Sequence, residues 1–251
     1  FAAAASLLKT HGFDVRLYTA PRQIDEPLDE TGTTLWQRLG TLGLSCTVTE
    51  DINGEKILRD EIDANTLGLG LGEAWSFSPE LIARFDGRLL DYMGIPLPRY
   101  RGGAHYTWMI LRGDRHMACN LQVINEQMVQ GVFDSGEIVK SKQYELPDWA
   151  RIPADYFKAA GPVEIAFIQE FLEEVRAGKD FVLRPPDERQ SLFLPRLNTM
   201  AQGIIDWSWS GREIERFVCA FDEPYAGAST YLEDRRVHLK GARLDDTEAP
   251  F

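Results

Sequence analysis

The sequence lacks what a membrane, a metal or a disulfide framework would require. No apolar run approaches the ~18–20 residues that cross a bilayer, which excludes a helical membrane protein. Cysteine is scarce: Cys46, Cys119 and Cys219 are three, far apart and without a C-x-x-C pair. That odd count argues against a stapled scaffold and a cysteine zinc site, and fits a reducing cytoplasm. None of the four histidines forms an H-x-x-x-H or a His/Cys/Asp cluster with ligand spacing, so no metal is expected. A basic excess is also missing, because 27 Lys and Arg face 39 Asp and Glu, a net charge of −12. An acidic chain does not attract phosphate backbones, so a long nucleic acid is a poor partner. There is no G-x-G-x-x-G, hence no dinucleotide site, and no internal repeat or low-complexity tract. An initiator Met is absent as well. The chain opens on the helix formers of 2–8, with neither a basic n-region nor a signal cleavage region. An α/β chain normally enters its first helix from a strand, so the expectation is that a first strand and its loop are missing.

What remains is an ordinary globular composition. With 251 residues, 44% hydrophobic and 26% charged, one or two domains with a sizeable core are expected. The pattern predicts a helix over 2–11 closed by Gly12, a strand over 15–18, a helix over 33–42 and a strand over 46–49. Asn53 is positioned to cap a helix over 54–62, and Ser78 with Pro79 to start one running to about 84. Between them, period two in Thr66–Gly72 puts three Leu on one face and three Gly on the other. Glycine on a strand face marks a close approach, by a ligand or by a packed helix. A strand over 89–92 follows. Alternation of strand and helix is the signature of an open, mostly parallel α/β sheet. Such sheets bind ligands at the carboxyl ends of strands, which directs attention to the segments after Gly72 and Leu90. A long helix is predicted over 162–177, with Ile165, Ile168, Leu172 and Val175 on one stripe. A Pro-rich linker (183–195) separates the α/β domain (1–182) from a small module (196–251) with a helix over 211–220 and strands over 228–232 and 236–240.

Leu97-Pro98-Arg99-Tyr100-Arg101-Gly102-Gly103-Ala104, then Trp108, then Val132-Phe133-Asp134-Ser135-Gly136-Glu137-Ile138 resembles the formyltransferase family, which includes methionyl-tRNA formyltransferases and sugar N-formyltransferases. The family pattern is N-x-H-x-S-x-L-P-x-[YW]-R-G followed by D-x-G-x-I. Leu194-Pro195-Arg196, Gly203-Ile204-Ile205-Asp206-Trp207-Ser208 and Phe221–Ala228 likewise look like its linker and the opening of its C-terminal domain. The resemblance implies a Rossmann-like N-terminal fold, a tail resembling the start of an OB-type β domain, 10-formyltetrahydrofolate as cofactor and an amine as acceptor. It also implies that Asn and His polarise the formyl carbonyl while Asp orients His and moves protons.

This chain departs from the pattern where the chemistry lies. The Asn position is Asp91, the His position is Met93 and the Ser position is Ile95; of the triad only Asp134 remains. A thioether exchanges no protons, and an ionised carboxylate repels a developing oxyanion. Loss of one oxyanion donor typically costs ~10²–10³ in rate. Each candidate therefore has two readings. Asp134 is a general base, or a turn Asp before Gly136. Asp91 is a neutral acid paired with Asp134, or a solvated strand-end Asp. His105 supplies the imidazole lost at 93, or is a surface His at a helix entry. Arg101, with Arg99, clamps a folate tail or an acceptor anion, or pins its turn to a neighbouring helix. Trp75 and Phe77 form a stacking wall for a flat ring, or pack the core. Leu97, Gly102 and Gly136 complete the cofactor-binding candidates, while His11, His116 and His238 are structural.

The expected activity is transfer of a formyl unit from 10-formyltetrahydrofolate to a small-molecule amine, on an altered site. The alternative is an inactive relative that binds folate or another metabolite, or serves in assembly. A tRNA acceptor is disfavoured, because residues 196–251 carry seven Lys and Arg against ten Asp and Glu. No membrane partner is expected, and a homo-oligomer remains open.

Overall fold

A computed structural model describes residues 1–28, 31–72, 74–132 and 134–245. Phe133 of the D-x-G-x-I segment and the end of the predicted C-terminal module, 246–251, lie outside the described residues. The helices are α1 (Ala2–Thr10), α2 (Pro21–Ile24), α3 (Leu35–Thr41), α4 (Lys56–Glu61), α5 (Pro79–Phe85), α6 (His105–Arg112), α7 (Glu126–Val129), α8 (Pro153–Arg176), α9 (Thr199–Gln202) and α10 (Gly211–Ala220). The strands are β1 (Tyr18–Thr19), β2 (Thr47–Val48), β3 (Gly68–Gly70), β4 (Leu89–Met93), β5 (Arg101–Gly102), β6 (His116–Val123), β7 (Ile138–Glu145), β8 (Phe193–Leu194), β9 (Ala228–Leu232) and β10 (Arg235–Leu239). The architecture is mixed α/β with mostly parallel sheets: β1–β2, β3–β4 and β5–β8 run parallel, whereas β4–β6 and β9–β10 are antiparallel.

Two compact units emerge. The first is Phe1–Gly94, Cys119–Lys142 and Glu164–Asp187; the second is Ile95–Ala118, Gln143–Val163 and Glu188–Phe251. In the first, a four-stranded sheet has the order β3-β4-β6-β7. The α5 helix begins where the sequence directs: the Ser78 side chain accepts from the Leu81 N–H at 3.2 Å and Pro79 occupies the first turn. Its apolar residues Leu81, Ile82 and Phe85 bury against Ile52, Leu89 and Ile124. The glycine face of β3 serves this packing, because a Cβ on Gly68 would lie 2.5 Å from Leu89 Cδ1 and 2.9 Å from the Phe85 ring.

Some local expectations shift. Asn53 caps nothing: Asp51 caps a 3₁₀ turn at Ile52–Gly54, and α4 follows from Lys56. The Asn53 carboxamide instead donates to the Ser76 carbonyl at 3.0 Å and accepts from the Ser78 N–H at 2.7 Å. A short polar side chain in a turn reaches whichever backbone groups lie near it, and here those belong to a distant loop. The α8 helix begins at Pro153, well before 162, and carries Pro162 in its interior. Buried Tyr156, Ala160, Phe167, Ile168, Phe171 and Leu172 outweigh the local breaker.

In the second unit a Cβ on Gly102 would lie 2.0 Å from the Leu194 carbonyl oxygen, so only glycine lets β5 and β8 approach this closely. The α10 helix starts on a capping box, Ser210 with Glu213, and buries Phe217, Val218, Cys219 and Ala220. The hairpin β9–β10 follows it, and the described residues form no closed barrel.

Candidate functional site

The first unit concentrates buried polar groups on one face of its sheet. In the register of β4 and β6, Asp91 stands opposite Gln122 and Met93 opposite Asn120. Directly opposed residues of an antiparallel pair project to the same face. Asp91, Met93, Asn120 and Gln122 therefore share one face. On the other face Tyr92 donates to Cys119 Sγ at 3.5 Å and packs on Phe167. Burial pushes the Cys119 thiol up to about 11 and the Glu164 carboxyl above its ordinary value.

Asp134 joins this face from the loop after α7. Its φ of +54° is a left-handed conformation that Asp tolerates better than most side chains. Two residues on, a Cβ at Gly136 would lie 1.8 Å from the Val123 carbonyl oxygen. The Val123 N–H donates to the Glu137 carbonyl at 2.9 Å. The glycine thus lets the loop press against the end of β6, beside Gln122. The Gln122 Nε2 amine donates to Asp91 Oδ2 at 3.1 Å and to Asp134 Oδ1 at a longer 3.4 Å. Asp91 and Asp134 are each 6% exposed and Gln122 is wholly buried. Asp91 is accordingly not a solvated strand-end residue. Its partner amide leaves Oε1 buried with no hydrogen-bond partner.

Trp75 and Phe77, after β3, pack together against the apolar cluster of Ile52, Leu81, Phe85, Leu89 and Ile124. Asn53 staples the backbone beside them, and Gln23 Nε2 donates to the Gly72 carbonyl at 2.9 Å. The Trp75 indole Nε1 is buried without a partner.

Leu97, Arg101, Gly102 and His105 belong to the second unit. Arg101 is buried and holds Glu188 as a fork, at 2.6 and 2.8 Å, with Ser191 Oγ at 3.0 Å. One ring nitrogen of His105, Nε2, lies 3.1 Å from the Gly102 carbonyl, and Trp108 Nε1 donates to the Pro195 carbonyl. Tyr100 donates to Asp114 at 2.7 Å while Arg99 approaches Asp114 at 3.5 Å. Burial alone would raise Asp114, but Tyr100, His116 and Arg99 together hold it below the usual carboxylate range. A cavity of about 220 Å³ in this unit is lined by Ala104, Thr107, Arg196, Thr199, Phe221 and Tyr225.

The structure thus brings Asp91 and Asp134 together, Trp75 and Phe77 together, and Arg101, Gly102 and His105 into one turn. Gln122 and Asn120 escaped the sequence reading. Their signal was present: Met117-Ala118-Cys119-Asn120-Leu121-Gln122-Val123 carries two amides at period two in an apolar run. Among the described residues no group of three or more His, Cys, Asp or Glu could hold a metal ion, and no helix is long and apolar enough to cross a membrane.

Residues 198–250 match the family model described as formyl transferase, C-terminal domain. A methionyl-tRNA formyltransferase of Desulfotalea psychrophila is 28% identical over 150 residues, which cover 60% of this chain and 44% of the relative. The chain therefore spans less than half the length of that relative. A sugar N-formyltransferase from a Shewanella species matches the fold at a TM-score of 0.69, 15% identity, with 98% of this chain and 94% of that one covered. An N-formyltransferase from Helicobacter canadensis, in complex with folinic acid and dTDP-3-aminofucose, matches at 0.66 and 14%, over 88% of this chain and 76% of that one. The domain match and the sequence relative, on a fold shared with sugar N-formyltransferases, support a formyltransferase family for this chain.

Proposed function

We propose that the chain transfers a formyl group from 10-formyltetrahydrofolate to a small amine, using the polar face of β4 and β6 in place of the family's Asn and His. The observation that carries this is the Gln122 amide joined to both Asp91 and Asp134, where the resemblance puts the reacting groups. Bound, the folate supplies an activated formyl carbon. Asp134 takes the proton released as the amine nitrogen bonds to that carbon, and returns it to the departing nitrogen. Asn120, opposite Met93, puts a carboxamide on the face where Asp91 and Met93 supply no N–H. Trp75 and Phe77 form the apolar wall for the pterin. The unpartnered indole N–H of Trp75 fits a flat ring with an acceptor edge. Gly136 keeps the Asp134 loop against β6. Leu97, Arg101, Gly102 and His105 are assigned no step in this transfer.

A small amine is the favoured acceptor because the C-terminal module carries no basic excess. Methionyl-tRNA is the second reading, favoured by the methionyl-tRNA formyltransferase relative. A binding protein without turnover is the third, favoured by the thioether at Met93.

Saturating 10-formyltetrahydrofolate is expected to raise the melting temperature. Asp134→Asn should keep that shift while turnover falls by ~10²–10⁴, the usual contribution of acid–base catalysis. The absence of both a thermal shift and a heat of binding contradicts the folate reading. Folate binding without formylation of any amine or of methionyl-tRNA leaves the binding-protein reading instead.

A further inference from the structure

We infer that the second unit binds a phosphate dianion, as inorganic phosphate or as the phosphoryl group of a small phosphomonoester, in a cavity walled by arginines. This goes beyond the transfer reading and does not depend on it. The cavity measures about 310 Å³ and is lined by Arg115, Arg151, Arg212 and Arg216 together with buried Ile110 and Tyr156. That volume lies at the lower end of the ~300–1,000 Å³ usual for ligand pockets, so the ligand is small. The whole chain carries a net charge of −12, and four guanidinium groups at one cavity run against it.

The arginines arrive with donors unspent. Arg212 and Arg216 stand one turn apart on one face of α10. Neither makes a hydrogen bond or an ion pair among the described residues. Arg216 lies over the glycine that ends α6, because a Cβ on Gly113 would sit 3.4 Å from its Cζ. Arg115 and Arg151 are each anchored by part of the guanidinium only. Arg115 gives Nε and Nη2 to the Leu146 carbonyl, at 3.3 and 3.1 Å, and Nη2 also to the Pro147 carbonyl. Arg151 gives Nη2 to Glu215, to Cys219 Sγ and to the Ala242 carbonyl. Nη1 of both, and Nε of Arg151, donate to nothing among the described residues.

Neighbouring carboxylates do not cancel this cluster. Glu215 pairs with Arg151, and Asp148 approaches Arg115 at 3.5 Å. Glu213 accepts from Ser210 in the capping box, Asp155 from the Arg151 and Ile152 N–H groups, and Asp114 from Tyr100. Arg212 and Arg216 are left without an ion pair, and like charges at this helical spacing repel. A phosphoryl group brings a charge of ~−1.5 to −2 at neutral pH and three acceptor oxygens, which answers both. Planar guanidinium groups meet such oxygens in pairs. A carboxylate offers half the charge and two oxygens. Buried Ile110, Ala150 and Cys219 line the same cavity, where salt screens a charge pair less than on an open surface.

The test is a titration of the full chain with inorganic phosphate and with methyl phosphate, against acetate and chloride at equal ionic strength, at about pH 8 where the phosphates are dianionic. Binding is followed by calorimetry and by the arginine Nε–H NMR signals. Both phosphates should bind saturably at one site, and acetate and chloride should not. Arg216→Gln should weaken phosphate binding at least about tenfold, and the more exposed Arg212→Gln should weaken it less. Arg22→Gln, which removes an exposed charge from the first unit, should leave it unchanged. If Arg216→Gln fails to fold, Arg212→Gln and the contrast between the anions decide. No binding of either phosphate, equal binding of acetate, or equal weakening in Arg22→Gln overturns the proposal. A single-stranded RNA oligonucleotide that binds more than about tenfold tighter than methyl phosphate, with the same dependence on Arg216, overturns the assignment to a small phosphate.

Discussion

The two units differ in how they satisfy their most buried polar side chains. The second pairs them internally: Arg101 forks onto Glu188, Arg151 pairs with Glu215, and Asp114 gathers Tyr100 and Arg99. The first brings two carboxyl groups, Asp91 and Asp134, onto a single amide and leaves that amide's oxygen unsatisfied. Opposite charges that pair serve the fold, whereas a buried amide oxygen without a donor is unfavourable. Local rules tend to be broken at functional sites, and the first unit breaks one. The proposed transfer is therefore placed on the first unit.

The strongest way to break this contrast is Gly136→Ala. The added Cβ meets the Val123 carbonyl, so the loop must move away from β6 and carry Asp134 from Gln122. Overpacking of this kind typically costs ~1–3 kcal/mol, and turnover should fall by ~10² or more with the lost base. Denaturant melts and single-turnover rates check both parts. Full turnover in a stably folded variant would dissociate Asp134 from the reaction.

In the second unit, Asp114→Asn should destabilise by about 2 kcal/mol, because Tyr100 and Arg99 lose a charged acceptor. The two units also predict opposite acid responses. Asp114 is held low, so its contribution is complete above the ordinary Asp value and lost as pH falls through the lowered one. Glu164 is held high by burial, so the fold is favoured in mild acid and loses that contribution as pH rises above the ordinary Glu value. Melting temperature against pH, repeated in Asp114→Asn and Glu164→Gln, should flatten one limb in each variant. The smallest effect is expected from Ser210→Ala, which removes an exposed helix cap worth about 1 kcal/mol and should leave transfer unchanged.

Much of the fold was legible because local chemistry and tertiary packing agree. Ser78 with Pro79, the capping box at Ser210 and the alternating Leu and Gly around β3 each state their own structure. The α8 start was hidden by Gly161-Pro162, which reads as a boundary until the buried aromatic residues on both sides of it are counted. The candidate site is legible in the sequence only in part. Motif spacing marks Asp91 and Asp134, and the exchange of Asn, His and Ser points to β4. Gln122 and Asn120 were not found, because their importance depends on a strand register that no local pattern specifies. The same holds for Asn53, whose partners Ser76 and Ser78 are distant in sequence.

The account is tested most directly by following a ¹³C-labelled formyl group from 10-formyltetrahydrofolate by NMR, with an amino-sugar nucleotide and methionyl-tRNA as separate acceptors. The predicted result is a labelled formamide on the small amine, formed by the unaltered chain and slowed about a hundredfold or more in Asp134→Asn. Label that stays on the bound folate with every acceptor, or appears only as free formate, would contradict it.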